Sequence, residues 1–298
     1  GVQFNMSGYD DVDLRNFGGQ KKKRTAFAQS DTGKQIMTAM IDAVRRKEAS
    51  GMVERFSHHS FLTLRLCGNI CCGCVIRDEY SQETVELPGD AVIVATGGMH
   101  GLFGNTTGSL SNTGEVTAEL FRLGVPLANG EMIQYHPTTV KCGGKRMLIS
   151  EAARGEGGRL FAMKDGKQWY FMEEKYPELG NLMPRDITAR EIWKVSHESE
   201  VFLDMTEISE EIISNKLSGL ADDCMTYLHK DIRKEPVSVL PGIHYFMGGI
   251  LVDEQHRTPI QNLYAAGECC AQYHGANRLG GNSLLGALYG GRVAAKSA

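Results

Sequence analysis

Apolar residues along this chain follow two periods, one typical of amphipathic helices and one typical of buried strands. Residues 31–50 carry apolar side chains at helical spacing and predict a helix. Residues 61–66 and 71–76 predict two strands joined by a Gly68-Asn69 turn. Residues 84–95 add another hairpin-like unit that ends in an uninterrupted apolar run. The first third of the chain therefore predicts a helix followed by several closely spaced strands.

Two apolar segments end in the same kind of turn. The run at residues 91–95 stops at Thr96-Gly97-Gly98, and the run at residues 263–265 stops shortly before Gly267-Glu268. An apolar strand that closes on small residues is typical of a buried parallel strand whose carboxyl end meets a ligand. An acid placed after such a turn can bind a ribose or ribityl hydroxyl. Together the two segments indicate a nucleotide-binding α/β domain.

The rest of the chain divides by character. Residues 1–24 predict a loop, and residues 134–243 have longer polar segments and charged helices. Three further elements complete the pattern: a helix at 115–123, a strand at 249–252 and a small-residue helix at 283–295. The sequence therefore predicts one nucleotide domain, residues 1–133 and 244–298, interrupted by an inserted cap at residues 134–243.

Composition narrows the class of protein. The chain has 298 residues, 42% of them hydrophobic and 23% charged, which is ordinary for a globular protein. Its net charge of -4 argues against a nucleic-acid surface, and the short basic cluster Lys21 to Arg24 is interpreted as solvated. We find no apolar run of about 18 residues, the length needed to span a bilayer.

Four closely spaced cysteines, at positions 67, 71, 72 and 74, have a spacing that could hold a metal. Because they fall on the two predicted strands, we interpret them as small apolar side chains and predict no metal site. The cysteine pattern does not indicate a secreted disulfide framework, so we expect a reducing compartment.

The sequence has no Gly-x-Gly-x-x-Gly motif, which a nucleotide domain of this kind needs to bind pyrophosphate. It begins Gly1-Val2-Gln3-Phe4, without an initiator methionine or a signal-peptide pattern. We therefore expect this chain to be the middle of a longer polypeptide and to lack the N-terminal βαβ unit.

Histidines and arginines recur beside glycine-rich turns, where ligands often approach the backbone. They fall in five segments: 134–138 (QYHPT), 150–158 (SEAARGEGG), 184–186 (PRD), 244–249 (HYFMGG) and 274–284 (HGANRLGGNSL). These segments resemble, in the same order, the signature segments of the succinate dehydrogenase and fumarate reductase flavoprotein family, to which L-aspartate oxidase is related. The last segment is the most specific of the five.

The resemblance implies a Rossmann-like FAD-binding domain, incomplete at its N-terminus, with an inserted α+β capping domain that closes over the substrate. It also implies which residues contact FAD. Glu115 matches an acid that is usually Asp in the family, Glu268 matches the acid after the second turn, and Ser283 and Leu284 match backbone contacts to the flavin ring. Thr96, Gly97 and Gly98 complete this set.

The resemblance further implies a four-carbon dicarboxylate substrate, fumarate or succinate. His136 and Ser150 match the group that binds one carboxylate, although the family more often has Thr at the second position. His244 and Arg278 match the group for the other carboxylate, and an arginine can bind a carboxylate through two parallel hydrogen bonds.

Arg185 matches the family's proton donor and acceptor, and Glu151 and Arg154 match the proton path that serves it. In such an enzyme, fumarate is reduced by hydride transfer from flavin N5 to one alkene carbon while the arginine protonates the other. Closure of the cap excludes water and brings the arginine into place.

One position separates the two branches of the resemblance. L-aspartate oxidase has a glutamate before a Gly-Gly pair, where it can pair with the substrate ammonium, and this chain has Phe17 before Gly18-Gly19. Phe17 suits an uncharged methylene, so we favour fumarate or succinate. L-aspartate oxidase stays as the alternative, because Pro184 to Ile187 and Phe202 to Met205 look similar to that enzyme. A catalytically incomplete fragment without FAD is the second alternative.

The resemblance also implies partners. Members of the family usually pair with an iron-sulfur subunit and often dock on a membrane anchor. We therefore expect a cytoplasmic protein, peripheral on the inner face of the cell membrane where such an anchor is present.

Overall fold

The computed structural model describes residues 1–29 and 31–298 of the protein. The backbone forms two compact units, each built from several stretches of chain. Unit 1 contains Gly1–Ala49, Tyr135–Ile243 and Leu279–Gly281, and unit 2 contains Ser50–Gln134, His244–Arg278 and Asn282–Ala298. The domain boundaries that the sequence suggests, at residues 133 and 243, stay a prediction.

Unit 1 is built on an antiparallel sheet of four strands. Their order is Lys167–Trp169, Arg159–Lys164, Val201–Asp204, Val237–Ser238. Side chains alternate along the third strand, so that Val201 and Leu203 are buried and the residues between and after them are half-buried. This period of two directs one face of the sheet into a core.

Helices cover that core in unit 1. They are Glu151–Gly155, Phe171–Lys175, Arg185–Val195, Glu210–Lys216 and Ser218–Leu228, with a short 3₁₀ turn at Gly180–Leu182. Phe171, Ile192, Leu203 and Ile213 are fully buried in one continuous apolar cluster. A second sheet has the strand order Leu240–Phe246, Ile133–Cys142, Lys145–Leu148, and its first two strands continue into unit 2.

The predicted helix at residues 31–50 is confirmed as Thr32–Ala49. None of its side chains is buried, and Met37, Met40, Ile41 and Val44 are each at least 42% exposed. Residues 1–24 are largely irregular as predicted, but Leu14–Arg15 pairs with Thr25–Ala26, so the loop prediction is wrong there. Arg15 lies 3.6 Å over the ring of Phe27 and holds this segment within unit 1.

Unit 2 contains the predicted hairpin and the predicted parallel strands. The antiparallel strands are His59–Cys67, Ile70–Asp78 and Thr84–Pro88, and the parallel pair is Val92–Val94 with Leu263–Ala265. Gly249–Ile250 pairs with Leu127–Ala128 and is two residues shorter than predicted. The helices are His100–Phe103, Glu115–Arg122 and Asn282–Ser297, with a 3₁₀ turn at Gly267–Cys269.

The core of unit 2 lies around the parallel pair. Val94, Leu120, Ile250 and Leu263 are buried in a cluster separate from that of unit 1. The cysteines at 67, 71, 72 and 74 lie on the hairpin, and no group of three metal-binding side chains occurs among the described residues. Over residues 1–29 and 31–298, no helix is both long and apolar enough to cross a bilayer.

Candidate active site

Unit 1 brings the three predicted proton-handling residues into direct contact. Arg185 donates to Glu151 Oε2 through Nη2 at 2.8 Å and through Nε at 3.1 Å. Arg154 donates from Nη2 to Glu151 Oε1 at 3.1 Å. All three side chains are at most 7% exposed. The carboxylate of Glu151 is therefore held, one oxygen each, by two guanidinium groups.

Local sequence explains how these side chains are placed. Glu151 and Arg154 lie on the short helix Glu151–Gly155, which begins after Ser150, whose Oγ accepts from the Ala152 N–H at 3.2 Å. Arg185 is the first residue of the helix Arg185–Val195, directly after Pro184. Proline fits at this boundary because the backbone N–H of the residue before a helix makes no hydrogen bond within that helix. The missing N–H of Pro184 therefore costs the helix nothing.

Gly18 and Gly280 lie against the carboxylate of Glu151, although neither was predicted as a site residue. A Cβ on Gly18 would lie 2.6 Å from Glu151 Oε1, and a Cβ on Gly280 would lie 2.7 Å from Oε2 and from the Cβ of Phe17. The backbone N–H of Gly18 also donates to this carboxylate. Phe17 thus lies beside the triad. Glycine is required at positions 18 and 280 because the backbone there approaches the buried carboxylate of Glu151 too closely for a Cβ.

Burial and charge act in opposite directions on this triad. Burial alone would raise the pKa of Glu151, but the guanidinium groups of Arg185 and Arg154 outweigh it and hold that pKa below its ordinary value. Burial lowers the pKa of Arg154, although Glu151 opposes the effect. A guanidinium whose pKa is lowered gives up a proton more readily than an exposed arginine does.

Arg154 also connects the triad to the edge of unit 1. It donates from Nη1 to the Asn181 carbonyl at 2.6 Å, and the Asn181 side chain donates to Glu173 at 3.0 Å. Glu173 in turn accepts two hydrogen bonds from Arg159, whose side chain is 42% exposed. Sequence reasoning missed Asn181, because it belongs to none of the selected segments and only the fold places its carbonyl and side chain between Arg154 and Glu173.

His136 and Ser150, the predicted partners of one carboxylate, lie on two paired segments of unit 1. The Ile149 N–H donates to the Thr138 carbonyl at 3.0 Å, and Thr138 Oγ1 donates back to the Ile149 carbonyl at 2.9 Å. His136 is fully buried, and its Nδ1 accepts from the Thr138 N–H at 3.2 Å. Thr138 therefore links His136 to Ile149, the residue before Ser150.

His244 and Arg278, the predicted partners of the other carboxylate, belong to unit 2. His244 Nδ1 lies 2.7 Å from Thr107 Oγ1. The Arg278 guanidinium is buried 4.4 Å over the ring of Tyr245, and its backbone carbonyl accepts from Gln134 Nε2 at 2.7 Å. Gln134 belongs to the selected segment 134–138 but was not predicted as a site residue, and Thr107 gave no signal in the sequence.

The remaining predicted residues form a cradle in unit 2. Gly97, at φ +72°, and Gly267, at φ +78°, turn the chain where the two parallel strands end, next to exposed Thr96. A Cβ on Gly98 would overlap the carboxylate of Glu268. Glu268 accepts from the Phe246 N–H at 2.9 Å and contacts His100 Nε2 at 3.0 Å.

Helix N-termini complete this cradle. Ser283 and Leu284 lie in the first turn of the helix Asn282–Ser297, and Glu115 begins the helix Glu115–Arg122 after Gly114. Backbone N–H groups at a helix start favour an anionic ligand. Gly98 without room for a Cβ, the acid Glu268 and the helix starts are what a nucleotide such as FAD requires, so these residues fit that group.

Comparison with known proteins agrees with this chemistry. Residues 1–284 match the family described as FAD binding domain. The chain belongs to this family. It is also 43% identical to the succinate dehydrogenase flavoprotein subunit of Bacillus subtilis, across 100% of this chain and 52% of that protein. The resemblance inferred from the sequence is therefore confirmed.

Two further similarities add detail. The chain is 34% identical to L-aspartate oxidase of Clostridium perfringens, covering 91% of this chain and 60% of that protein. Its fold matches that of a mutant of the E. coli quinol fumarate reductase FrdA with a TM-score of 0.88 and 31% identity, over 98% of this chain and 52% of the other. The chain thus spans 52 to 60% of the length of these relatives.

The structure places six of the predicted site residues in unit 1 and nine in unit 2. Unit 1 holds Phe17, His136, Ser150, Glu151, Arg154 and Arg185. Unit 2 holds Thr96, Gly97, Gly98, Glu115, His244, Glu268, Arg278, Ser283 and Leu284. The part that each residue takes in binding or catalysis stays a prediction.

Proposed function

We propose that the complete protein is an FAD-dependent oxidoreductase that interconverts fumarate and succinate. The observation that carries the proposal is the buried triad of Arg185, Glu151 and Arg154. Burying three charged side chains is unfavourable unless each has a partner, and such clusters are common where a reaction needs a perturbed acid or base. The similarity to succinate dehydrogenase of Bacillus subtilis supports the same reaction.

The proposal assigns the two carboxylates of the substrate to different residues. His136 and Ser150 bind one carboxylate, and His244 and Arg278 bind the other. The Arg278 guanidinium already lies 4.4 Å over the ring of Tyr245, so its position is set before a carboxylate arrives. Phe17 contributes an apolar surface for the two central carbons.

FAD, when bound, supplies or accepts the hydride in this reaction. In fumarate reduction Arg185 donates a proton to the alkene carbon, and in succinate oxidation it takes a proton from the corresponding methylene. Glu151 contacts both guanidinium groups, so it can pass a proton from Arg154 to restore Arg185. The lowered pKa of Arg154 favours that transfer.

L-aspartate oxidation is the second candidate reaction, favoured by the similarity to the Clostridium perfringens enzyme. Phe17 argues against it, because an aromatic ring beside Gly18 offers no carboxylate to the ammonium group of aspartate. Comparing turnover of succinate with turnover of L-aspartate distinguishes the two.

We further propose that the complete protein exchanges electrons with an iron-sulfur subunit and that a membrane anchor holds the assembly at the inner face of the membrane. The similarity to a flavoprotein subunit of succinate dehydrogenase and to a quinol fumarate reductase supports this arrangement.

The first experiment is the visible absorption spectrum of the purified protein, with FAD added where needed. We expect a bound-flavin spectrum that shifts when fumarate or succinate is added, and fumarate-dependent oxidation of a reduced viologen dye. A protein that binds no flavin would contradict the proposal. A flavin spectrum that responds to L-aspartate and not to succinate would favour the second candidate.

A further inference from the structure

Two adjacent threonines in unit 2 each hold the same nitrogen of a different histidine. Thr106 Oγ1 lies 2.7 Å from His100 Nδ1, and Thr107 Oγ1 lies 2.7 Å from His244 Nδ1. Thr106 and His100 are buried, with exposed fractions of 0% and 4%. Neither threonine belongs to the motifs that the sequence analysis selected, and His100 was not among the predicted site residues.

The first histidine reaches the cofactor acid. His100 Nε2 contacts Glu268 Oε1 at 3.0 Å, and the same oxygen accepts from the Phe246 N–H at 2.9 Å. The His100 ring also packs edge-on against Phe246, with ring centroids 5.1 Å apart. A Cβ on Gly108 would overlap this ring, so the backbone lies directly against it. Glu268 is thus fixed from two sides.

These contacts form a closed circuit. Thr106 leads through His100 to Glu268, Glu268 leads to the Phe246 backbone, and Phe246 lies two residues after His244. His244 returns to Thr107, which is bonded covalently to Thr106. The circuit therefore connects the acid of the FAD cradle with the proposed carboxylate-binding histidine, entirely within unit 2.

Each threonine hydroxyl can donate to the ring nitrogen beside it, and such a bond decides which nitrogen of that histidine carries the proton. Thr106 Oγ1 accepts from the Gly108 N–H at 3.1 Å and lies 2.7 Å from His100 Nδ1, to which its hydroxyl can donate. When the Thr106 hydroxyl donates to Nδ1, that nitrogen carries no proton, so His100 carries its proton on Nε2, directed to Glu268. If Thr107 donates to His244 Nδ1 in the same way, His244 also carries its proton on Nε2, as a carboxylate ligand requires.

We propose that Thr106 and Thr107 are positioning residues, the first holding His100 against Glu268 for flavin binding and the second fixing His244 as an Nε2–H donor to a substrate carboxylate. This inference rests on the proposed function. It adds His100 to the residues that support the cofactor acid, and it assigns separate tasks to two neighbouring hydroxyl groups.

The test replaces each hydroxyl with a methyl group of nearly the same size. Thr106→Val and Thr107→Val are compared in the complete protein with Thr113→Val, an exposed threonine in the same loop region. We measure the dissociation constant for FAD, the dissociation constant for succinate, and the histidine ¹⁵N shifts that report which ring nitrogen carries the proton. Loss of one hydrogen bond should raise the dissociation constant of the affected ligand by about 3- to 10-fold.

We expect Thr106→Val to weaken FAD binding and to change the ¹⁵N shifts of His100. We expect Thr107→Val to weaken succinate binding and to change the ¹⁵N shifts of His244. Thr113→Val should match the wild type. The inference would be overturned if all three variants behaved alike, or if Thr106→Val and Thr107→Val each weakened both FAD binding and succinate binding. Either result would leave the proposed function intact. A wild-type protein that binds neither ligand would overturn both.

Discussion

At the scale of single residues, the arrangement around Arg185 makes a specific prediction. Arg185→Gln removes the proposed proton donor, so we expect turnover to fall about 100- to 10,000-fold while the succinate dissociation constant changes little. The loss arises because glutamine cannot supply a proton to the substrate carbon. Steady-state kinetics and a succinate titration of the bound flavin measure the two quantities.

Controls for Arg185→Gln come from the same helix. Arg190→Gln changes an exposed arginine five positions further on, and it should leave turnover unchanged. Arg185→Lys keeps a positive charge beside Glu151, so it should fold normally and still lose most activity. Near wild-type turnover in either Arg185 variant would be incompatible with the proton-donor role.

His274 provides a second prediction, about stability and pH. Burial, followed by the nearby Arg278 charge, lowers the pKa of His274 from 6.5 to about 4. Between these values the unfolded chain binds a proton that the folded protein does not bind, so the free energy of unfolding should fall as the pH falls from 6.5 toward 4. Tyr245 and Tyr273 pack against the ring and maintain its burial.

We expect His274→Asn to lose less stability than the wild type between about pH 7 and about pH 5, because asparagine does not titrate there. Urea unfolding at both pH values measures the difference. His58→Asn is the matched control, since His58 is exposed and has a positive φ that asparagine tolerates. A His274→Asn protein with the same pH dependence as the His58→Asn protein would contradict the assignment.

At the scale of elements, two serines cap helices in unit 1 but have different proposed roles. Ser150 Oγ accepts from the Ala152 N–H at 3.2 Å, and Ser209 Oγ accepts from the Ile212 N–H at 3.3 Å. Ser150→Ala and Ser209→Ala should each lower the free energy of unfolding by about 1 kcal/mol. Only Ser150→Ala should raise the KM for succinate, because only Ser150 is proposed to bind a carboxylate.

Denaturant unfolding and steady-state kinetics on both variants separate the two effects. A third variant, Ser150→Thr, retains both the cap and the hydroxyl group and should preserve both properties. An unchanged KM in Ser150→Ala would contradict the proposed carboxylate contact and leave Ser150 with its capping role alone.

Elements with a clear period could be predicted from the sequence alone. The helix Thr32–Ala49 and the strand Leu263–Ala265 follow from the spacing and the length of their apolar runs. The pair Leu14–Arg15 with Thr25–Ala26 could not be predicted, because two-residue strands have no period. The spacing of Thr32–Ala49 does not show whether the helix contacts a core, and none of its side chains is buried in the structure.

The sequence allowed the residues of the candidate site to be predicted, but not the contacts between them. Arg185, Glu151 and Arg154 were selected through a resemblance, and the structure shows the contacts that join them. Gly18 and Gly280 lie 262 positions apart in the chain, and only folding shows that both pack on one carboxylate. Thr106 and Thr107 gave no signal in the sequence, because a hydroxyl that orients a histidine needs no motif.

At the scale of the whole molecule, the two units have separate apolar cores. Leu203 is fully buried in the cluster of unit 1, and Leu263 is fully buried in the cluster of unit 2. Leu203→Ala and Leu263→Ala should each cost about 2–5 kcal/mol, since each leaves a cavity in a closely packed interior. Because the residues around each leucine belong to one unit, we expect the damage to concentrate there.

Amide hydrogen exchange locates that damage. Leu203→Ala should lower protection first in Arg159–Lys164 and Val201–Asp204, whose strands it joins, and Leu263→Ala should lower it first in Val92–Val94. Leu240→Ala, which replaces a leucine that is 38% exposed, is the control and should change neither region. Equal loss of protection in both units after either core substitution would mean that they unfold as one cooperative body. In that case mutations in the Arg185 triad would also destabilise the FAD cradle, and losses of flavin binding could no longer be assigned to the cradle residues alone.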